Sequence, residues 1–238
     1  EGIMQGGIMG KMKAILALTS ILMLSACYKD GSNRIEPAQS KPSNGQLLSG
    51  KSTSETEVNA REVADKLTQE LAIDRKARLS NISYNLDIDL VSLQDGYQGQ
   101  VDVTFDLNDN KRSLSIDFTG GSVSKVIING HSIPVEYSGY FITLSAESLV
   151  VGTNKISVTY SHPYGQDGTG LHRFVDPEDG ETYLYTYLWP YYANRLFPNF
   201  DQPNLKATYE MKVRAQSDWQ VLSAVRCCDH RQRTQDFR

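Results

Sequence analysis

From Ile82 onward the chain alternates apolar and polar residues with a period of two. Ile82, Tyr84, Leu86, Ile88 and Leu90 are separated by Ser, Asn and Asp. Val101, Val103, Phe105 and Leu107 repeat the pattern, as do Leu114, Ile116 and Phe118. Each run predicts a strand with one face buried and one wet. Val123–Ile128 leads into Asn129-Gly130, a dipeptide that tolerates positive φ at both positions and so predicts a hairpin. Further strands are predicted over 133–137, 140–144, 154–160, 182–186, 207–213 and 219–222. Short strands with turn signals between them predict an all-β fold, an antiparallel β-sandwich, over residues 80–224. A span of roughly 140 residues can build a stable core without disulfides.

Upstream the pattern changes three times. Ala60, Val63, Ala64, Leu67 and Leu71 recur at helical spacing, which predicts one amphipathic helix over 55–79. Ser54 and Glu57 fit its N-cap and capping box. Residues 28–54 carry Ser, Gly, Asn, Pro and Lys without apolar periodicity. Such a stretch buries too little apolar surface to offset its ordering entropy, which predicts a flexible tether. Ala14 to Leu24 is an apolar run of about eleven residues, the length of a signal h-region and too short to span a bilayer.

Lys11 and Lys13 precede that run, and Leu24-Ser25-Ala26-Cys27 ends it. The segment resembles the lipobox of bacterial lipoproteins. The resemblance implies that residues 1–26 are an upstream extension and signal peptide, and that the Cys27 thiol carries a diacylglycerol. It implies a membrane partner through two or more acyl chains, which anchor stably where one does not. Tyr28 stands where the family's inner-membrane retention signal has Asp, so the expected location is exported and outer-membrane.

Lys plus Arg number 24 and Asp plus Glu 28, for a net charge of -4. That balance excludes a nucleic-acid binder, which needs a basic surface. Three cysteines do not make a disulfide framework. There is no Gly-x-Ser-x-Gly elbow and no phosphate-binding glycine loop in the sequence. None of His131, His162, His172 and His230 has a second His four residues away, as a helical zinc site requires. Residues 225–238 follow neither period and are expected to be an irregular tail.

The segment from Gly170 reads GLHRFVDPEDGETYLYTYLWPYYANRLFPNFDQPNLKATYEMKV, followed by DWQVLSA. It resembles the end of the N-terminal domain of the aminopeptidase N family of zinc peptidases. Gly170 and Arg173 ahead of an acidic loop, and Tyr185-Thr186, carry part of the likeness. Ala193, Arg195, Phe197-Pro198, Phe200-Asp201 and Pro203 carry the rest. They match the family's A-R-x-x-F-P-x-F-D-x-P run, with Asn194 between Ala193 and Arg195. The resemblance implies a saddle-like all-β domain and peptide substrates. It also implies a zinc held by H-E-x-x-H and a later Glu, preceded by a Gly-x-Met-Glu-Asn segment. Neither motif is in this sequence, so no cofactor is expected in this chain. Zinc is expected in a catalytic domain beyond it, and the fragment alone is expected to be inactive.

The resemblance also implies that Tyr187 and Trp189 stand where the family has a substrate-binding Gln-x-Glu. A carboxylate there holds an ammonium by charge, whereas Trp offers cation–π attraction worth ~0.5–2 kcal/mol. Three readings stay open: an offset alignment, an altered substrate preference, or a pseudo-peptidase scaffold. Tyr187, Trp189, Tyr191 and Tyr192 are either a weak ammonium site or core and interface packing. Arg195, Pro198, Asp201 and Pro203 are expected to be a structural loop. Phe197 and Phe200 should pin it to the core, and Arg195 is the candidate partner of Asp201. A stand-alone β-sandwich lipoprotein binding sugar or protein is the competing reading.

Overall fold

A computed structural model describes residues 61–223 and the backbone of residues 234–237. Cys27, the expected tether, the upstream part of the expected helix and most of the tail lie outside the described residues.

The helix α1 spans Gln69–Arg78 and has Thr68 as its N-cap, whose hydroxyl accepts from the Leu71 amide. This corrects the helix predicted over 55–79: residues 61–68 are extended and bent, not helical. Arg61 and Asp65 make bonds to distant strands and loops instead, and Thr68 caps a later first turn. The buried face of α1 is not an apolar stripe either. Its buried residues are Arg75 and Arg78.

Among the described residues the eleven strands are β1 (Leu79–Asp89), β2 (Gly96–Leu107), β3 (Leu114–Asp117), β4 (Ser122–Ile128), β5 (His131–Ile133), β6 (Phe141–Leu144), β7 (Gly152–Pro163), β8 (Gly170–Val175), β9 (Thr182–Tyr187), β10 (Ala207–Arg214) and β11 (Thr234–Phe237). Seven of them form one sheet in the order β11-β10-β1-β2-β7-β4-β5. β3 with β6, and β8 with β9, form two separate ribbons. The all-β expectation holds. The antiparallel expectation holds for every pair but one, because β1 and β10 run parallel from Ile82↔Ala207 to Asp89↔Arg214. The long intervening chain makes that crossover possible, where a hairpin could not.

Alternation positions the core as the sequence predicts. Tyr84, Leu86 and Ile88 of β1 pack with Val101, Val103 and Phe105 of β2, Ile156, Val158 and Tyr160 of β7, and Met211 and Val213 of β10. Ile116, Ile142 and Leu144 of the β3–β6 ribbon cover this face, joined by Leu196, Phe197 and Phe200. Asn129 and Gly130 take φ of 51° and 86°, which closes β4 onto β5 as the Asn-Gly signal predicts. Three differences go beyond shifted strand ends. β8 was not expected. Residues 134–136 leave the sheet after β5. Residues 219–222 are irregular, with the Trp219 amide closing a turn onto the Gln216 carbonyl.

β3 is buried at all four positions. Ile116 faces the sheet, and Ser115 and Asp117, on alternate positions, meet α1. Arg75 donates to Asp117 through both terminal nitrogens, at 2.6 and 2.9 Å, and to the Ser115 carbonyl at 2.7 Å. Asp117 is fully buried, at 0% exposure. Burial pushes its carboxyl up, but Arg75 and then Arg61 outweigh that and hold it below the usual carboxylate range. Arg75→Met keeps the stem and deletes the charge. It is expected to lower unfolding free energy in urea by about 3–5 kcal/mol, the range for breaking a buried pair from one side.

Candidate functional site: an aromatic face on a braced loop

The β8–β9 ribbon and the irregular segment that follows it carry the positions singled out in the sequence. Leu171 and Leu184 turn inward to the core. Directly opposed residues of an antiparallel pair share a face. Here the opposed pairs Phe174↔Tyr183, His172↔Tyr185 and Gly170↔Tyr187 put a row of rings on the other side. His172 and Tyr185 are 4.8 Å apart between ring centroids. Tyr187 is 46% exposed and Trp189, continuing the row, is 63% exposed. These two are therefore surface residues and not core.

After β9 the chain turns through a cis Trp189–Pro190 bond into a 3-10 turn at Ala193–Arg195. Prolines keep this segment out of a ladder, so other groups must take its backbone polar atoms. The Asn199 and Asp117 backbones exchange two bonds, at 2.8 and 3.0 Å. The Phe200 amide donates to the Tyr84 hydroxyl, at 2.9 Å. The Tyr97 hydroxyl donates to the Leu196 carbonyl, at 2.8 Å. The Asp201 amide donates to the Asp117 carboxylate, at 3.0 Å. Phe197 and Phe200 are buried in the core, as expected, and Pro198 is buried beside them, while Pro203 is exposed.

Asp201 does not pair with Arg195, which corrects the expected partnership. The 3-10 turn explains the difference. It brings the Asn194 amide and side-chain Nδ2 onto Asp201 Oδ2, at 3.0 and 3.2 Å. The same turn sends Arg195 outward to Asp65, at 2.9 Å, and to Asp167, at 3.2 Å. Arg195 also lies over the Tyr192 ring, 5.0 Å from its centroid.

The four aromatics proposed as an ammonium site are only partly brought together. Tyr187 and Tyr192 approach to 6.1 Å between centroids. The Tyr191 hydroxyl is drawn off to Arg61, at 3.2 Å. Tyr192 already carries the Arg195 cation on its ring. Tyr187 and Trp189 are thus the exposed pair free to meet a ligand. A cavity of about 120 Å³ lies behind Trp189, lined by Leu188, Pro190, Phe200, Asp201 and Tyr209 among others.

Zinc does not fit the residues at hand. Among the described residues no three His, Cys, Asp or Glu side chains converge on a metal position. Both ring nitrogens of His162 face carbonyl oxygens, of Thr119 at 2.8 Å and Pro163 at 2.6 Å. His172 Nδ1 accepts from the Gly168 amide.

Sequence reasoning missed Arg61, Asp65, Arg75, Tyr97 and Asp117, all of which build the site. Asp117 lies in the alternating run Leu114–Phe118, where its position reads as wet. No local signal marks it, because its partners come from 42 and 56 residues away.

An all-β platform with an exposed aromatic loop next to a proline-rich segment, braced on a buried ion pair, is the arrangement that the sequence resemblance implies. Residues 80–238 match the Peptidase M1 N-terminal domain, and the chain belongs to that family. It is 36% identical to aminopeptidase N of Streptomyces lividans over 159 residues, covering 66% of this chain and 19% of that protein. The chain therefore spans about a fifth of that relative's length. Its fold is similar to yeast LTA4 hydrolase, with a TM-score of 0.53 and 17% identity, over 68% of this chain and 27% of that one. It is also similar to an M1 zinc metallopeptidase from Deinococcus radiodurans bound to a Tyr-Ser-Ala substrate, with a TM-score of 0.50 and 17% identity, over 67% and 39% of the two chains.

Burial pushes the Asp201 carboxyl up to about 7, against the pull of the Asn194 amide. An unfolded Asp titrates near ~3.9, so between about pH 4 and 7 the folded state binds the extra proton. Stability should fall as pH rises through that window and level off above it. Asp201→Asn, which can still accept from Asn194, is expected to flatten this fall. Melting temperatures from about pH 5 to 8 check it, and an equal slope in both proteins counts against it.

Proposed function

We propose that this chain is the N-terminal part of a lipid-anchored zinc aminopeptidase, and that its aromatic loop forms one wall of the cleft that receives the peptide N-terminus. The observation that carries this reading is the pair Tyr187 and Trp189. Both are exposed, yet the Tyr192 amide closes their loop onto the Leu188 carbonyl, and the chain just beyond it has its backbone tied down at Phe200 and Asp201 by buried partners. Rigid support under exposed aromatics suits recognition, because ordering costs are met before the ligand arrives. Membership of the Peptidase M1 N-terminal domain family supports peptides as the substrate class.

In this reading Trp189 meets the substrate ammonium by its π face. That gives weaker and less selective capture than a carboxylate. The domain's own residues bind and orient, and the zinc that supplies hydrolysis is held by residues other than those described. Export and anchoring rest on Lys11 to Cys27, with the lipid on Cys27 and the domain facing the periplasm or the cell exterior.

Two measurements test the proposal. The product of the whole reading frame should release N-terminal residues from peptides and lose that activity to a zinc chelator; no release overturns the reading. In that enzyme Trp189→Glu should shift KM by roughly 2- to 30-fold, and unchanged kinetics would sink the ammonium role. Cells fed labelled palmitate should lipidate the wild-type chain and not Cys27→Ala.

A further inference from the structure

The bent segment 61–66, ahead of α1, bonds to the aromatic loop and to the turn after it. Arg61 donates to the Tyr191 hydroxyl, at 3.2 Å, while its other nitrogen holds Asp117, at 2.5 Å, and Ser115, at 3.0 Å. Its guanidinium lies over the Phe141 ring, 4.3 Å from the centroid. Asp65 bridges Arg195, at 2.9 Å, and the Thr119 hydroxyl, at 3.1 Å. Arg195 in turn lies over Tyr192, and Tyr192 packs on Tyr187. Two short chains of contact thus run from this segment into the aromatic loop: Arg61 to Tyr191, and Asp65 through Arg195 and Tyr192 to Tyr187.

We propose that Arg61 and Asp65 are positioning residues for substrate binding, acting through Tyr191 and Arg195 to fix the aromatic loop at 187–192. This rests on the reading of that loop as the substrate wall. The local geometry favours a positioning role over a merely stabilising one. The chain just beyond the loop, at 196–201, is already secured by Tyr84, Tyr97, Asp117 and the buried Phe197 and Phe200. Asp65 and Arg195 are both partly exposed, and the other acidic partner of Arg195, Asp167, is 61% exposed and weakly constraining. Removing Asp65 therefore leaves the core intact and loosens the outer half of the turn, with Arg195 held through one nitrogen by Thr169 and Asp167. Tyr192 and Tyr187 then lose the fixed cation that orders their rings.

The test uses Asp65→Asn, Asp65→Glu and Tyr191→Phe in the product of the whole reading frame. Tyr191→Phe removes only the hydroxyl that Arg61 reaches and leaves Arg61 on Asp117. Asp65→Asn and Tyr191→Phe should each raise KM by roughly 3- to 10-fold with kcat within about twofold, and Asp65→Glu should recover part of the loss. A second arm does not depend on catalysis. The 238-residue chain has two tryptophans, so Trp219→Phe leaves Trp189 as the reporter. Asp65→Asn in that background should make Trp189 more readily quenched by acrylamide at an unchanged melting temperature. Unchanged KM together with unchanged quenching overturns the proposal, as does a parallel fall of kcat, KM and melting temperature. An unmutated enzyme without aminopeptidase activity would defeat the substrate-wall reading alone, and the quenching arm would then decide the positioning role.

Discussion

A carboxylate buried to the last atom organises this domain. Asp117 would cost several kcal/mol to bury as an ion without compensation. It is compensated by a bidentate guanidinium from Arg75, a second from Arg61, and the Asp201 amide. These four groups come from β3, α1, the segment before α1, and the proline-rich loop. Of the last three, the loop also buries Leu196, Phe197 and Phe200 in the core, whereas the buried residues of α1 are Arg75 and Arg78. The ion pair sets where each sits, and its bidentate geometry sets the angle as well.

The loop's rigidity follows from that arrangement. Pro198 and Pro203 bar it from pairing as a strand, and the aromatic core beneath supplies the bonds a neighbouring strand would have given. Tyr84 shows the economy of this. Its ring stacks on Tyr209 at 5.0 Å and meets Phe197 edge-on at 5.7 Å, while its hydroxyl accepts the Phe200 amide. Asp201 occupies the inner side of the same turn that Arg195 leaves on the outside. One short 3-10 turn thereby separates a buried acid from an exposed cation seven or fewer residues apart.

The strands were legible because their signal is local. A period of two in Ile82–Leu90 or Val101–Leu107 needs no knowledge of the rest of the chain, and neither does the positive φ of Asn129-Gly130. The resemblance over 170–223 was legible because its Phe, Pro and Asp positions are closely spaced. What escaped was non-local. Asp117 stands at a polar position of an alternating run, and only a third layer, supplied by α1, makes that position buried. The same cause explains the helix. Val63, Ala64 and Leu67 have helical spacing, but the tertiary bonds of Arg61 and Asp65 outweigh a propensity of a few tenths of a kcal/mol per residue. Arg195 was assigned to the nearest acid in sequence, whereas the turn placed it against acids 28 and 130 residues away.

The two sides of the molecule differ in a way that locates function. The open face of the seven-stranded sheet is lined by Asn85, Asp87, Gln98, Gln100, Asp102 and Lys212, a mixed polar surface that water satisfies. The outer face of the β8–β9 ribbon instead holds exposed Phe174, Tyr185 and Tyr187, with Trp189 beyond. Alternation alone would have allowed polar residues there, as it did on the large sheet. Rings clustered on one exposed ribbon cost solubility and give nothing to the core, which Leu171 and Leu184 already serve from the other side. The ion pair at Asp117 contributes to this face only by holding its base still. In the function proposed above, the buried charge serves to keep this aromatic surface in place for a ligand.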